Sequence, residues 1–468
     1  MDRPCVEAIR GVGPMIDKRI ASKRRPRLIA VLAVSLLGSA ATGNAYSVLT
    51  HEAIIDSSWD RTIIPLLLTR FPAATPDELT QAHAYAYGGS IIQDLGYYPF
   101  GSKFYSDLTH YVRSGDFIAN MVRTSEDLNE YAFALGALSH YAADNDGHSM
   151  ATNPSVPLLF PKLKLKFGNL ITYADDPFSH SKTEFGFDVF QAAKGRYASD
   201  AYKAFIGFEV AKPVLERAFL ETYGIPIEKV FLSFDLAIGS YRRAVGSVLP
   251  AMTRIAWQLH KQEIRKDAPG ITRRKFLYNL SRSSYEKSWG STYTKPTRRS
   301  EVMAFVFRIV PKVGPFKPFA YKPVTPGIEK LYMASVNATM DRYLKLLAGV
   351  KSDRLELPNI NFDVGDATAA GKYRLADAAY AKLLHKLSGH YAVMPTDLRV
   401  NILAYYHDLN LPISTRTNSG DWNRLVTELS QLNAVGLDLA KQLGQPFGPP
   451  RNLAEGAASG AQGTENEQ

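Results

Sequence analysis

The sequence predicts an all-α fold, with a multi-helix bundle over residues 46–262 and an additional helical C-terminal region over 325–446. Three observations predict it. β-Branched alternation, the mark of a half-buried strand, is scarce between Tyr46 and Gln262. Apolar side chains recur at helical spacing, as Tyr332, Val336, Tyr343 and Leu347 do on one stripe. Cap residues followed by an early proline open several runs, among them Thr75-Pro76-Asp77-Glu78 and Thr325-Pro326.

Residues 1–45 have the organisation of an export signal. Lys23, Arg24, Arg25 and Arg27 precede the apolar run Leu28–Leu37, and Gly43-Asn44-Ala45 supplies small residues for cleavage. Cleavage there would make Tyr46 the new N-terminus and the mature protein periplasmic or secreted. The apolar run is short for a bilayer span, and retention as an anchor is the competing reading. The single cysteine, Cys5, lies in this segment. The mature chain would carry no thiol, so metal ligands would have to be His, Asp, Glu and backbone, a set that suits zinc. Half of the net charge of +10 also belongs to the leader. The remainder favours phosphate-bearing ligands or anionic surfaces without diagnosing either.

Taken in order, Thr50 is expected to cap a helix over Glu52–Trp59, and Thr75 one that runs to Tyr87 and is broken by Gly88-Gly89. Ile91–Tyr98 and Leu108–Arg113 follow, then a central helix over Ser125–Tyr141 with Glu126 and Asp127 in its first turn. Residues 156–172, with prolines and alternating Leu and Lys, are expected to form a surface loop or short hairpin. Helices over Ser199–Tyr223 and Ile227–Gln262 complete the bundle. Residues 263–324 form a basic, proline-containing connector, which would be a solvated surface or a lipid- or nucleic-acid-facing patch. Helices over Pro326–Ala348, Ala367–Leu387, Thr396–Leu409 and Ser419–Gln442 follow, and the composition of 447–468 is that of a disordered tail.

The chemistry centres on Phe133–His148, FALGALSHYAADNDGH. His140, Asp144 and His148 recur every four residues and so share one helix face. The preceding apolar run would bury that face. Buried polar groups then need neutralisation, which bound zinc supplies most simply. A helix end facing water is the alternative. His180 and Glu184 form a second pair four apart, and Asp94, His110 and His51 lie upstream. His83, His260, His385, His390 and His407 are expected to serve structure or surface, and Asp146 a turn before Gly147. Tyr97, Tyr98, Phe100, Phe104 and Tyr105 would mostly pack under a loop.

The order of these ligand-type residues resembles the superfamily of zinc-dependent phospholipases C and single-strand-specific zinc nucleases. The resemblance covers about residues 46–185 and implies three zinc ions. Tyr46 would chelate one through its amine and carbonyl, with His51 and a bridging Asp144. Asp94, His110, His140 and Asp144 would hold a second, and His148, His180 and Glu184 a third. Tyr46 stands where the family usually has tryptophan, and the step from Asp144 to His148 is shorter than usual. The implied activity is hydrolysis of a phosphodiester, with Asp94 also orienting or deprotonating the attacking water. QDLGYYPFGSKFYSDLTHY resembles the phospholipase branch, implying a phospholipid substrate and peripheral contact with a membrane surface. The five-residue step from Tyr46 to His51 resembles the nuclease branch, which makes nucleic acid the alternative substrate. A zinc-stabilised binding protein without turnover is the reading from another class.

Overall fold

The structure, a computed structural model, describes residues 48–194, 208–243, 261–262, 265 and 324–443. Tyr46, the proposed leader and most of the basic connector lie outside them, as do His260 and the 447–468 tail. The described residues are all-α, and their only β pairing is an isolated bridge between Ile360 and Ala367. No described helix is long and apolar enough to cross a membrane.

Helix α1 spans Val48–Ser58 and continues through a π-turn at Trp59–Ile63 into α2, Ile64–Arg70. It starts before Thr50, which is therefore no cap: its hydroxyl lies inside the helix and donates to the Asp188 carboxylate at 2.8 Å. Helix α3, Pro76–Gly89, has the expected start, with Thr75 and Glu78 forming a reciprocal capping box. Its end differs from expectation. Gly88-Gly89 is helical, because these glycines serve close packing rather than termination. A Cβ on Gly89 would lie 2.0 Å from the Phe133 carbonyl oxygen, and one on Gly136 would lie 2.1 Å from that of Ala86. The absent side chains let α3 press directly against the central helix.

Residues Ile92–Tyr97 form a 3-10 turn rather than an independent helix, and α4 occupies Lys103–Tyr111, starting earlier than the sequence suggests. After α5, Ser114–Thr124, the central helix α6 spans Leu128–Gly147. Asp127 is its N-cap, accepting from the Glu130 amide at 2.8 Å, so Glu126 and Asp127 precede the helix rather than fill its first turn. Asp146 is correspondingly a helical residue, not a turn residue, and is held by two bonds from the Arg342 guanidinium at 2.8 and 2.9 Å.

A π-turn, His148–Thr152, leads into α7, Asn153–Leu159, and α8, Pro161–Phe167. The loop or hairpin expected at 156–172 is thus mainly helical. Pro154 and Pro161 sit in the first turns of these helices, where a missing amide costs nothing. Helices α9, Pro177–Lys194, α10, Lys212–Tyr223, and α11, Phe234–Arg243, follow. The stretch expected to be one helix from Ile227 is divided, with a 3-10 turn at Ile227–Lys229 before α11.

The C-terminal helices are α12, Pro326–Lys351, α13, Arg374–Lys386, α14, Thr396–Tyr405, and α15, Ser419–Leu443. Helix α12 lies along α6, and Tyr343 donates to the Leu135 carbonyl at 3.0 Å. Apolar side chains from both halves of the sequence form one continuous core. That core surrounds α6 and fixes the direction of its C-terminal turns.

Candidate metal centre

The polar face of α6 is buried. His140, Asp144 and His148 are each fully enclosed, as are His51 from α1, Asp94 from the 3-10 turn, His110 from α4 and His180 from α9. Glu184, one turn beyond His180, is nearly so. Every ligand residue expected from the sequence converges on this region except Tyr46, which lies outside the described residues.

Asp144 occupies the middle. Its Oδ2 lies 3.1 Å from His140 Nε2, 3.4 Å from His110 Nε2 and 3.6 Å from His148 Nε2, while its Oδ1 lies 3.7 Å from His51 Nε2. Asp94 Oδ1 approaches His110 Nε2 at 3.3 Å. Three sets of donor atoms come close enough to share an ion: His51, Asp94 and His140; His110, His140 and Asp144; and His148, His180 and Glu184. The third matches the set implied by the family resemblance. The first two draw on the expected residues but divide them differently, placing Asp94 with His51 and His140.

Backbone carbonyls set the imidazole tautomers. His110 Nδ1 donates to the Ser106 carbonyl at 2.8 Å, and His140 Nδ1 donates to that of Ser90 at 2.9 Å. Each neutral ring then turns the lone pair of Nε2 into the cluster. The close α3–α6 packing at Gly89 and Gly136 delivers the Ser90 carbonyl to His140. For His180, Nε2 donates to Asn153 Oδ1 at 2.9 Å, leaving Nδ1 directed at Glu184 Oε1 2.7 Å away.

Burial and mutual contact perturb the titration of these groups strongly. Burial drives the Asp94 carboxyl upward, whereas Asp144 is held well below the usual carboxylate range because His140, His110 and His148 overcome its burial. Burial opposes charge on His110, but the adjacent carboxylates of Asp144 and Asp94 override it and raise the imidazole to about 10. His51 goes the other way, lowered to about 3 by burial and then by His140. Burial and His148 likewise hold His180 well below its ordinary value. Both oxygens of Asp94 and of Asp144, and Nε2 of His110 and His140, have no hydrogen-bond donor or acceptor among the described residues. Such groups cost several kcal/mol unless something else satisfies them. Nitrogen and oxygen donors in overlapping sets fit zinc.

Two residues near this centre carried no sequence signal. Asn153 follows the π-turn and orients His180, and Asp363 lies in the C-terminal half, with Oδ1 3.6 Å from His148 Nε2. Neither has the helical spacing that exposed the other ligands. Two of the histidines expected to serve structure or surface have side-chain partners away from this centre. His83 bonds Asp56 at 3.1 Å and stacks on Trp59, and His385 bonds Glu428 at 2.7 Å. Tyr97, Tyr98, Phe104 and Tyr105 are buried, and Phe100 is exposed.

A helical bundle that buries overlapping histidine–carboxylate triads offers three candidate metal sites whose donors fit zinc. Residues 50–233 match the family model for zinc dependent phospholipase C, a match that supports the zinc-dependent phospholipase C superfamily. Comparisons with the curated proteins and with the solved structures find no match. The family domain and its donor triads support a phospholipase C-like zinc phosphodiesterase.

Proposed function

We propose that the chain is an exported phospholipase C that binds three zinc ions and cleaves a phospholipid to diacylglycerol and a phosphorylated headgroup. The convergence of the three donor triads around Asp144, within the matched family region, carries this reading. Zinc bound there supplies positive charge to the phosphoryl oxygens and acidifies the attacking water. The protein's own residues do the rest. Asp144 places one buried anion among His51, His110, His140 and His148, so that several ligand sets are held by one carboxylate. Asp94, whose proton affinity is raised by burial, is suited to orient the attacking water and accept its proton. His148, His180 and Glu184 would hold a further ion of the cluster.

The projection that begins at Asn153 supports a lipid substrate. Helix α8 exposes Lys162, Lys164 and Lys166 beside Leu165, which is 90% exposed, and Leu158 and Leu170 protrude next to it. Lysines beside protruding leucines suit a phosphate-rich lipid surface, the leucines entering the acyl boundary and the cations staying with the headgroups. This segment follows in the chain from Asn153, the residue that orients His180.

The test is to assay zinc-loaded mature protein side by side on phosphatidylcholine, phosphatidylethanolamine and single-stranded DNA. Release of diacylglycerol from a phospholipid, lowered on the order of 10²–10⁴-fold in Asp94→Asn as expected for loss of a general base, is the expected result. Cleavage of the DNA with no lipid turnover would establish the nuclease reading instead.

A further inference from the structure

Asp363 lies 130 residues beyond the matched family region's end at 233, yet its side chain reaches the metal centre. The segment that carries it is threaded against the ligand-bearing helices. Ser114 donates to the Ile360 carbonyl at 2.6 Å, and the Phe362 amide donates to the His110 carbonyl at 3.2 Å. Asn153 Nδ2 donates to the Asp363 carbonyl at 2.6 Å, the same Asn153 whose Oδ1 orients His180. Gly365, with φ of +79°, passes the backbone over Asn145 and Ser149, where a Cβ would stand 3.3 Å from each. Partners on α4, α5, α6 and α7 thus act together with the turn's own hydrogen bonds, such as that from the Asp363 amide to Asn361 Oδ1 at 3.0 Å, in fixing it.

The two carboxylate oxygens of Asp363 have different environments. Oδ2 accepts the hydroxyl of Tyr111 at 2.8 Å and that of Tyr373. The two hydroxyls hold Oδ2 from the Tyr111 and Tyr373 sides and so fix the plane of the carboxylate. Oδ1 is thereby turned towards His148, 3.6 Å from Nε2. That separation is too long for a hydrogen bond. It matches two donors on one tetrahedral zinc, since ligand atoms each about 2.0–2.2 Å from the ion stand about 3.3–3.6 Å apart. His148 Nε2 has no hydrogen-bond partner among the described residues, which leaves it available to the same ion.

We propose that Asp363 is a further zinc ligand, supplied by the C-terminal half to the ion held by His148, His180 and Glu184. This rests on the zinc reading given under Proposed function. The C-terminal region then belongs to the metal centre, with Tyr111 and Tyr373 as positioning residues that aim the carboxylate. Asp363→Asn tests the charge with little change of shape, because the amide oxygen can still accept from the two tyrosines.

Two measurements on the full mature chain decide it: zinc-edge anomalous diffraction of the wild type, and zinc affinity of Asp363→Asn in competition with a chelator. The expected results are an ion within about 2.0–2.2 Å of Asp363 Oδ1, and weakest-site zinc binding reduced by more than about tenfold, the least seen when even an outer-shell partner is lost. An ion on His148, His180 and Glu184 with Asp363 outside coordination distance would overturn the assignment while leaving the zinc reading intact. No ion on that triad would overturn both. If Asp363→Asn does not fold, the wild-type diffraction decides alone.

Discussion

The Oδ2 atom of Asp144 lies 3.1 Å from Nε2 of His140, one turn earlier on the same buried helix. Three further histidines, from α1, α4 and the π-turn, face the same carboxylate. This carboxylate thus faces histidines from all three donor sets, and its loss should disturb more than one of them.

Asp144→Ala is expected to lower bound zinc by more than one equivalent and to destabilise α6, because it strips the shared anion from several buried imidazoles. Elemental analysis with thermal unfolding measures both effects. Loss of a single equivalent would assign Asp144 to one ion.

Zinc binding should release protons. In the metal-free protein Asp144 and Asp94 hold His110 protonated up to about 10, although burial opposes the charge. Zinc requires the neutral ring. The imidazolium proton must therefore leave on binding at neutral pH, and affinity should rise with pH until His110 is already neutral in the free protein. Calorimetric titration in buffers of different ionisation enthalpy reads the number of protons released. A heat independent of buffer would contradict the predicted protonation.

The exposed leucines of α7 and α8 should bind lipid. Burying one leucine side chain contributes about 1.5–3 kcal/mol, so Leu165→Glu should weaken vesicle binding about tenfold or more while leaving zinc content unchanged. Sedimentation with vesicles of phosphatidylcholine and phosphatidylglycerol measures it. Equal binding by the two proteins would remove α8 from the membrane-facing surface.

The N-terminal chelate gives an independent test outside the described residues. Proteins starting at Ala45 and at Tyr46 should differ in zinc content and activity, because one added residue turns the Tyr46 amine into an amide whose lone pair is delocalised. Equal zinc and equal activity would leave His51 without that partner.

The metal ligands were legible where covalent spacing places them together. His140, Asp144 and His148 lie on successive turns of one helix, as do His180 and Glu184, so periodicity alone aligned them. Asp94, His110 and His51 come from other elements and were recognisable only through their order along the chain. Asp363 was not legible, since tertiary threading of 359–366 past His110 and Asn153 brings it to the centre. Gly88-Gly89 was misleading for the same reason. A glycine pair looks like a break in the chain, and only the opposing backbones, of Glu209 for Gly88 and of α6 for Gly89, show that it permits close contact. The Leu–Lys alternation of α8 suggests a strand, but its residues form a short exposed helix begun by Pro161.

Zinc stoichiometry tests the central claim most directly. Elemental analysis of the mature protein should give three zinc ions per chain, falling by about one in each of His51→Ala and His180→Ala, as expected when a site loses a ligand. A value near one, unchanged by either substitution, would contradict the trinuclear centre.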